Sequence, residues 1–101
     1  MDLRTAQLSD FAQWIGTEFR ADDESGVAIA LELVEANSLT SRPGAPRPEP
    51  FSLIFRGPPG RPLDQRIHPL EHDQLGRLDL FLVPIGPGSD GRGPYYQAIF
   101  N

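Results

Sequence analysis

The sequence predicts a mainly β (α+β) domain, in which a short N-terminal helix precedes a bent antiparallel sheet or small barrel of five to six strands. Three observations lead to this fold class. One N-terminal segment has helical spacing, several short segments after it alternate in hydrophobicity, and all eleven prolines lie after residue 42. With 101 residues and no compositional break that marks a boundary, the chain is expected to form a single domain over residues 1–101.

The helix is predicted over about Thr5–Ile15. Ser9 is a favourable N-cap, and the apolar residues that follow Leu8 approximate the i, i+3, i+7 spacing of one helix face. Leu8, just before this cap, is placed to pack as a hydrophobic staple. Gly16 occupies the position where a glycine in the left-handed region commonly ends a helix.

The strands are predicted from alternating apolar and polar residues. The clearest half-buried strand begins at Val27, and its alternation slips at Leu33–Val34, which predicts a β-bulge or a strong bend. Leu78–Ile85 is apolar on both faces except at Asp79, which predicts a central or barrel-closing strand. The remaining expected strands are a short one at Thr17–Arg20, one at Phe51–Phe55, a weaker one at Gln65–Glu71 that Pro69 interrupts, and a last one at Tyr95–Phe100.

Two segments are expected to be long loops. Ser41–Pro50 has four prolines and a glycine in ten residues, so it is predicted to be exposed with polyproline-II character. Gly86–Pro94 is predicted to be a wide connection between the last two strands.

Consecutive short strands with no helix between them favour antiparallel pairing, because a parallel pair needs a long crossover. Closing such a sheet into a barrel removes its exposed edges. Sm-like and SH3-like barrels have this size and this order of elements, so the barrel is predicted to be Sm-like or SH3-like. A fold analogy of this kind says little about function.

Composition disfavours several classes of function. Nine arginines and no lysine stand against 14 acidic residues, and the net charge of −5 disfavours nucleic acid and anionic membranes as partners. The absence of cysteine excludes disulfides, thiolate chemistry and cysteine-ligated zinc. No apolar run is long enough for a bilayer and the first 20 residues lack a secretory signal, so we expect a cytoplasmic protein.

The charges are unevenly distributed along the chain. Residues 1–40 contain two arginines and eight acidic residues, whereas residues 42–66 contain five arginines and only two acidic residues. Two faces of opposite sign favour head-to-tail self-association. The alternative is that these charged residues cluster by chance on a solvated surface.

The motif that most resembles a catalytic site is the pattern H-x-x-E-H at His68, Glu71 and His72, the signature of inverted zinc proteases. Only 29 residues follow it, and they are predicted to be strand and loop, so we expect two exposed histidines instead of a zinc site. The glycine-rich segment 86–93 lacks the GK[ST] of a phosphate loop, no G-x-S-x-G occurs, and the acidic residues 22–24 are expected to be solvated. The sequence therefore predicts no enzyme, no catalytic or metal-binding residue and no cofactor.

Binding is instead predicted at exposed aromatic and arginine side chains. Four phenylalanines occupy positions that alternation assigns to the core: Phe11, Phe55, Phe81 and Phe100. The residues predicted to contact a partner are the aromatics Trp14, Tyr95 and Tyr96 and the arginines Arg42, Arg47, Arg56 and Arg61. The last strand, which reaches the chain end, is a further candidate for edge pairing with another molecule.

The C-terminal half has a recognisable series of segments: FSLIFRGP (51–58), then Leu63 with Gln65, LEHDQLGRLDLFLVPIG (70–86) and YYQAIFN (95–101). They resemble a family of small uncharacterised bacterial proteins with the pattern F-x-L-x-F-x-G-P, L-G-x-x-x-L-F-L-V-P and Y-x-A-x-F-N, and Trp14–Phe19 looks similar to the family's opening segment. The family is a domain of unknown function, so the resemblance assigns no catalytic residue. It implies a small accessory protein encoded near phage-tail-like components.

The function predicted from the sequence is a non-enzymatic protein-binding or assembly module that self-associates or binds a protein partner, phage-tail-like components included. The alternative is an Sm-like barrel that binds RNA through the arginines of residues 42–66, which the overall charge disfavours. A small-molecule or enzymatic barrel is a third class, for which the sequence offers no converging polar groups.

Overall fold

One short helix and six antiparallel strands that close into a barrel make up the computed structural model, which describes residues 1–22, 25–40, 43–44 and 49–101. The elements, in chain order, are α1 (Leu8–Ala12), β1 (Glu18–Asp22), β2 (Ala28–Ser38), β3 (Phe51–Arg56), β4 (Arg66–His72), β5 (Gly76–Gly86) and β6 (Tyr95–Phe100). The predicted fold class, a mainly β chain with a short N-terminal helix and a small antiparallel barrel, is confirmed. Most of the proline-rich segment, with Arg42 and Arg47, lies outside the described residues, as do residues 23 and 24 of the acidic turn.

The strand order around the barrel is β1-β2-β3-β6-β5-β4, and β4 returns to β1. Among the described residues, Arg20 and Glu71 form the register pair of the closing strands β1 and β4, and β4 and β5 pair along the whole of β4. Because β6 inserts between β3 and β5, both of its edges are occupied. The prediction that the last strand offers a free edge to another molecule is therefore wrong.

The helix is shorter than predicted and begins at a different cap. Gln7, not Ser9, is the N-cap residue: the Asp10 carboxylate accepts a hydrogen bond from the Gln7 backbone N–H at 2.8 Å, and the Asp10 N–H donates to the Gln7 backbone carbonyl at 3.0 Å. The helix ends at Ala12 with Gln13 as its C-cap, so Gly16 does not end it as predicted, although its φ of +89° is in the left-handed region. Its N–H donates to the Leu33 carbonyl at 2.7 Å, which directs the chain into β1 beside β2.

The predicted irregularity in β2 is confirmed, because the register of β2 against β3 shifts between Leu33 and Glu35. Leu33 lies opposite Phe55, and Glu35 lies opposite Ile54. The extra residue lets the eleven-residue β2 bend around the barrel while it pairs with β1 and then with β3.

Aromatic rings fill the barrel interior. Phe11 of α1 packs against Phe51 and Phe100, with ring centroids 5.8 and 5.5 Å away, and Phe19 meets Phe55 edge to face at 5.2 Å. The core positions predicted for Phe11, Phe55 and Phe100 are confirmed, since all three are buried.

The expectation that Phe81 lies in the core is wrong, because the residue is 50% exposed. Leu80 and Leu82 take the inward positions on either side of it, so the alternation of β5 directs Phe81 to the outer face. In the described part of the chain, no helix has the length and apolar character needed to cross a bilayer.

Candidate interaction surface

Three large apolar side chains lie in one row across the outer face of β4, β5 and β6. Ile67 is opposite Phe81 in the β4–β5 ladder, and the two residues are 62% and 50% exposed. Ile99 on β6 is 51% exposed. The β5–β6 register reaches the pair Val83–Gln97, and continuing both strands by two residues brings Ile99 level with Phe81 on the same outer face. We call Ile67, Phe81 and Ile99 the apolar row. Adjoining exposed apolar residues of this kind are typical of interaction surfaces.

A pair of opposite charges lies further along the same two strands. Glu71 is opposite Arg77, on the same outer face as the apolar row and four residues away from it, which is about 13 Å along the strands. The Nε of Arg77 lies 3.3 Å from the Asp79 carboxylate. Arg20, on the β1 side of Glu71, is paired with Asp73 at 2.9 Å. We call Glu71 and Arg77 the charged row.

Sequence reasoning missed the apolar row, although its signal is present in β5. Phe81, Val83 and Ile85 form a second apolar stripe on that strand, a pattern that predicts a central or barrel-closing strand. The one helix of the described residues packs against β2, so it does not cover β5. The stripe is consequently exposed at Phe81 and Ile85.

Two of the predicted contact residues, Arg56 and Tyr95, lie opposite each other on the outer face of β3 and β6. The Arg56 guanidinium donates to the Glu32 carboxylate at 2.5 Å, and the attraction of that carboxylate raises the pKa of Arg56. The Tyr95 hydroxyl donates to the Asp90 carboxylate at 2.7 Å, which raises the pKa of Tyr95. The pKa of Asp90 is lowered, first by the Arg92 N–H that it accepts and then by Tyr95.

A groove of about 480 Å³ lies beside this pair of residues, with Val34, Ile54 and Ile85 as its apolar lining. Arg56 also lines it, but its charge is balanced by Glu32. Arg56 therefore forms a cross-strand ion pair with Glu32 and is not an unpaired cation available to bind a phosphate.

Tyr96 is buried, so its predicted role as an exposed contact residue is wrong. Only 1% of the residue is exposed, and its hydroxyl oxygen accepts a hydrogen bond from the Leu63 N–H at 2.9 Å. Alternation explains the difference between the two tyrosines: because Tyr95 points outward, its neighbour Tyr96 points into the barrel.

Trp14 is half-buried, with its ring 5.3 Å from that of His72, and its indole N–H is buried without a hydrogen-bond partner among the described residues. Arg61 is exposed in the loop between β3 and β4. Of the predicted contact residues that the structure describes, Arg56 and Tyr95 lie together, whereas Trp14, Arg61 and Tyr96 lie elsewhere on the barrel.

The two histidines of the H-x-x-E-H pattern are buried inside the barrel, so the prediction that they are exposed is wrong. On strand β4 they share the inner face at positions about 13 Å apart, and Glu71 points to the opposite face. One metal ion cannot reach all three side chains in this arrangement. No group of three or more metal-ligating side chains occurs among residues 1–22, 25–40, 43–44 and 49–101.

Each histidine forms hydrogen bonds within the fold. The Nε2 of His68 donates to the Asp64 carbonyl at 2.6 Å. The Nδ1 of His72 accepts the backbone N–H groups of Gln74 and Leu75 at 3.1 and 3.2 Å, which holds the turn between β4 and β5. Their role in this structure is to satisfy backbone groups.

Comparison with known proteins gives a family and no function. No curated protein and no solved structure matches the chain significantly. A family model described as a domain of unknown function (DUF6916) matches residues 6–100. This match spans the helix and all six strands, and the chain therefore belongs to the DUF6916 family.

Proposed function

We propose that this protein is a non-enzymatic assembly module that self-associates through the outer face of β4, β5 and β6. The observation that supports this proposal is the apolar row, in which three large side chains are each at least half exposed and adjoin one another on paired strands. Full burial of a side chain such as Ile or Phe contributes about 1.5–3 kcal/mol. Covering the row with another protein surface is the simplest way to remove this apolar area from water.

This proposal moves the contact face away from most of the residues that the sequence indicated. Tyr96 is buried and Trp14 is half-buried, so neither offers a free aromatic surface. Phe81, which the sequence assigned to the core, becomes part of the contact, with Ile67 on β4 and Ile99 on β6 beside it.

The distribution of ion pairs supports a protein partner over RNA. Several arginines are paired with carboxylates: Arg4 with Asp2, Arg20 with Asp73, Arg56 with Glu32 and Arg77 with Asp79. An arginine that is already neutralised contributes less to the release of counterions that drives binding to a phosphate backbone.

The test is the mass in solution by size exclusion with light scattering, over a range of concentrations. We expect the native protein to form an oligomer and Phe81→Glu to be a monomer, because a carboxylate within the contact would be buried without a partner. Ile15→Glu is the matched control, since Ile15 is 46% exposed in the turn after α1, away from the proposed face. A native protein that is monomeric at all concentrations, or a Phe81→Glu variant with the native mass, contradicts the proposal.

The Sm-like alternative is tested separately by fluorescence anisotropy with a labelled single-stranded RNA. An RNA-binding barrel must lose affinity steeply as salt increases. We expect no binding at physiological salt, and a steep salt dependence would favour the alternative over the assembly proposal.

A further inference from the structure

We infer that two copies of the chain pack as a closed pair, related by a two-fold axis that runs between β4 and β5 and roughly along them. This inference rests on the proposed self-association and specifies its geometry. Two-fold pairs are the commonest oligomers, and they require a face that is complementary to itself.

The register of β4 against β5 provides that self-complementarity. Ile67 lies opposite Phe81, and Glu71 lies opposite Arg77 in the same ladder. A two-fold axis between the strands exchanges them, so Ile67 of one copy faces Phe81 of the other, and Glu71 of one copy faces Arg77 of the other. Each contact occurs twice, once on each side of the axis.

The surrounding charges agree with this pairing. Arg20, the other cation beside Glu71, is paired with Asp73, whereas Arg77 is more exposed at 67% of its side chain. Arg77 also contacts Asp79 of its own chain at 3.3 Å, an exposed ion pair that leaves further donors of the guanidinium free for a second carboxylate. Between the two rows, Pro69 faces Asp79 of the second copy, and the Asp79 carboxylate keeps its ion pair with Arg77 of its own chain.

An axis that runs across the strands, through the apolar row, fits less well. Arg77 lies four residues before Phe81 on β5, and Ile85 lies four residues after it. Rotation about such an axis places Arg77 of one copy against Ile85 of the other. A cation would then lose water against an apolar side chain and gain no partner there. The axis along the strands avoids this cost, and, like any two-fold pairing, it produces a closed dimer that cannot grow into a filament.

The charged row allows the inference to be tested by charge reversal. In Glu71→Arg, the new arginine of each copy faces Arg77 of the other, so two like-charge contacts form. In Arg77→Glu, the new glutamate of each copy faces Glu71 of the other. We expect each single variant to weaken the dimer by about tenfold or more, because like charges across an interface oppose association.

Two further samples show whether a charge reversal weakens the dimer through the proposed contact between residues 71 and 77 or by unfolding the chain. The double variant Glu71→Arg/Arg77→Glu restores opposite charges across the axis, so it should dimerise as the native protein does. An equimolar mixture of the two single variants should form a heterodimer, since arginines at both positions then face glutamates at both positions. Native mass spectrometry separates the heterodimer from the homodimers, and Glu35→Arg on β2 is the matched control with the same change of charge.

The outcomes separate this inference from the proposed function. If the native chain dimerises and Phe81→Glu abolishes the dimer, but neither single reversal weakens it and the mixture forms no preferred heterodimer, the two-fold arrangement is wrong and self-association stands. Larger oligomers also overturn the closed pair. A monomeric native chain overturns both proposals.

Discussion

The Nε2 of His72, at the end of β4, lies 2.9 Å from the hydroxyl oxygen of Thr17, just before β1. Since two backbone N–H groups donate to Nδ1 of the same ring, the proton of the neutral imidazole is on Nε2 and donates to Thr17. The Thr17 hydroxyl in turn donates to the Trp14 carbonyl at 2.6 Å. This chain of hydrogen bonds joins β4 to the segment after α1, close to the register pair of Arg20 and Glu71 that joins β1 and β4.

The first prediction concerns the pH dependence of stability. Burial lowers the pKa of His72, and Arg20 lowers it further against the opposing effect of Asp73. The imidazole of the unfolded chain then binds a proton more readily than that of the folded one. The contribution of His72 to the free energy of unfolding should therefore be fully present above the unfolded pKa of about 6.5 and should decrease as the pH drops below it. The fall continues until the pH passes the folded-state pKa, with a slope of at most about 1.4 kcal/mol per pH unit from this residue.

Urea unfolding at a series of pH values between 8 and 5 measures this effect. The control is His72→Gln, which is less stable throughout but should lack the part of the pH dependence that belongs to the imidazole. If the native protein and His72→Gln have parallel pH profiles, the imidazole does not contribute to the acid sensitivity.

The second prediction concerns the hydroxyl of Thr17. Thr17→Val keeps the shape of the side chain but removes the acceptor of the His72 N–H and the donor to the Trp14 carbonyl. We expect a loss of about 1–3 kcal/mol in the free energy of unfolding, because partly buried groups remain without partners. Thr17→Ser, which retains the hydroxyl, should lose much less, and equal losses in the two variants would contradict the role of the hydrogen bonds.

The third prediction uses the two adjacent tyrosines as a matched pair. Tyr96→Phe removes the buried acceptor of the Leu63 N–H, so we expect it to cost about 1–3 kcal/mol. Tyr95→Phe removes an exposed hydroxyl bonded to Asp90, and water can replace that partner, so the cost should be within about 0.5 kcal/mol. Chemical denaturation of both variants provides the comparison, and a larger loss in Tyr95→Phe would contradict the assignment of the inner and outer faces.

Local patterns predicted the strands well, because alternation and the glycine- and proline-rich segments act within a few residues. Tyr95–Phe100 has the predicted bounds, and the slip at Leu33–Val34 is a bulge in the structure. Strand order was not predictable in the same way, since the β3–β6 pair joins residues far apart in the sequence, such as Phe51 and Phe100, which are 49 positions apart. Nothing in the local pattern of either strand specifies that partner.

The limits of alternation are clearest at β5. The pattern correctly separates Phe81 from Leu82, placing them on opposite faces of the strand. It does not indicate whether another element packs on each face, because that depends on which helices and strands the rest of the chain contains. Here the inner face is filled by the barrel core and the outer face is left exposed at Phe81.

The last prediction compares Phe55, which is buried, with Phe81, which is half exposed, and so tests the assignment of the inner and outer faces. Phe55→Ala should lower the free energy of unfolding by about 3–5 kcal/mol, because Phe55 is fully buried against Phe19 and its loss leaves a cavity. Phe81→Ala should cost less than about 1 kcal/mol when it is measured at a concentration where the protein is monomeric, since the ring is half exposed. At higher concentrations Phe81→Ala should lose more, because a native dimer gains stability by mass action and the variant does not. Thermal unfolding at two protein concentrations measures both effects. If Phe81→Ala is as unstable as Phe55→Ala at low concentration, Phe81 belongs to the core and the assignment is wrong.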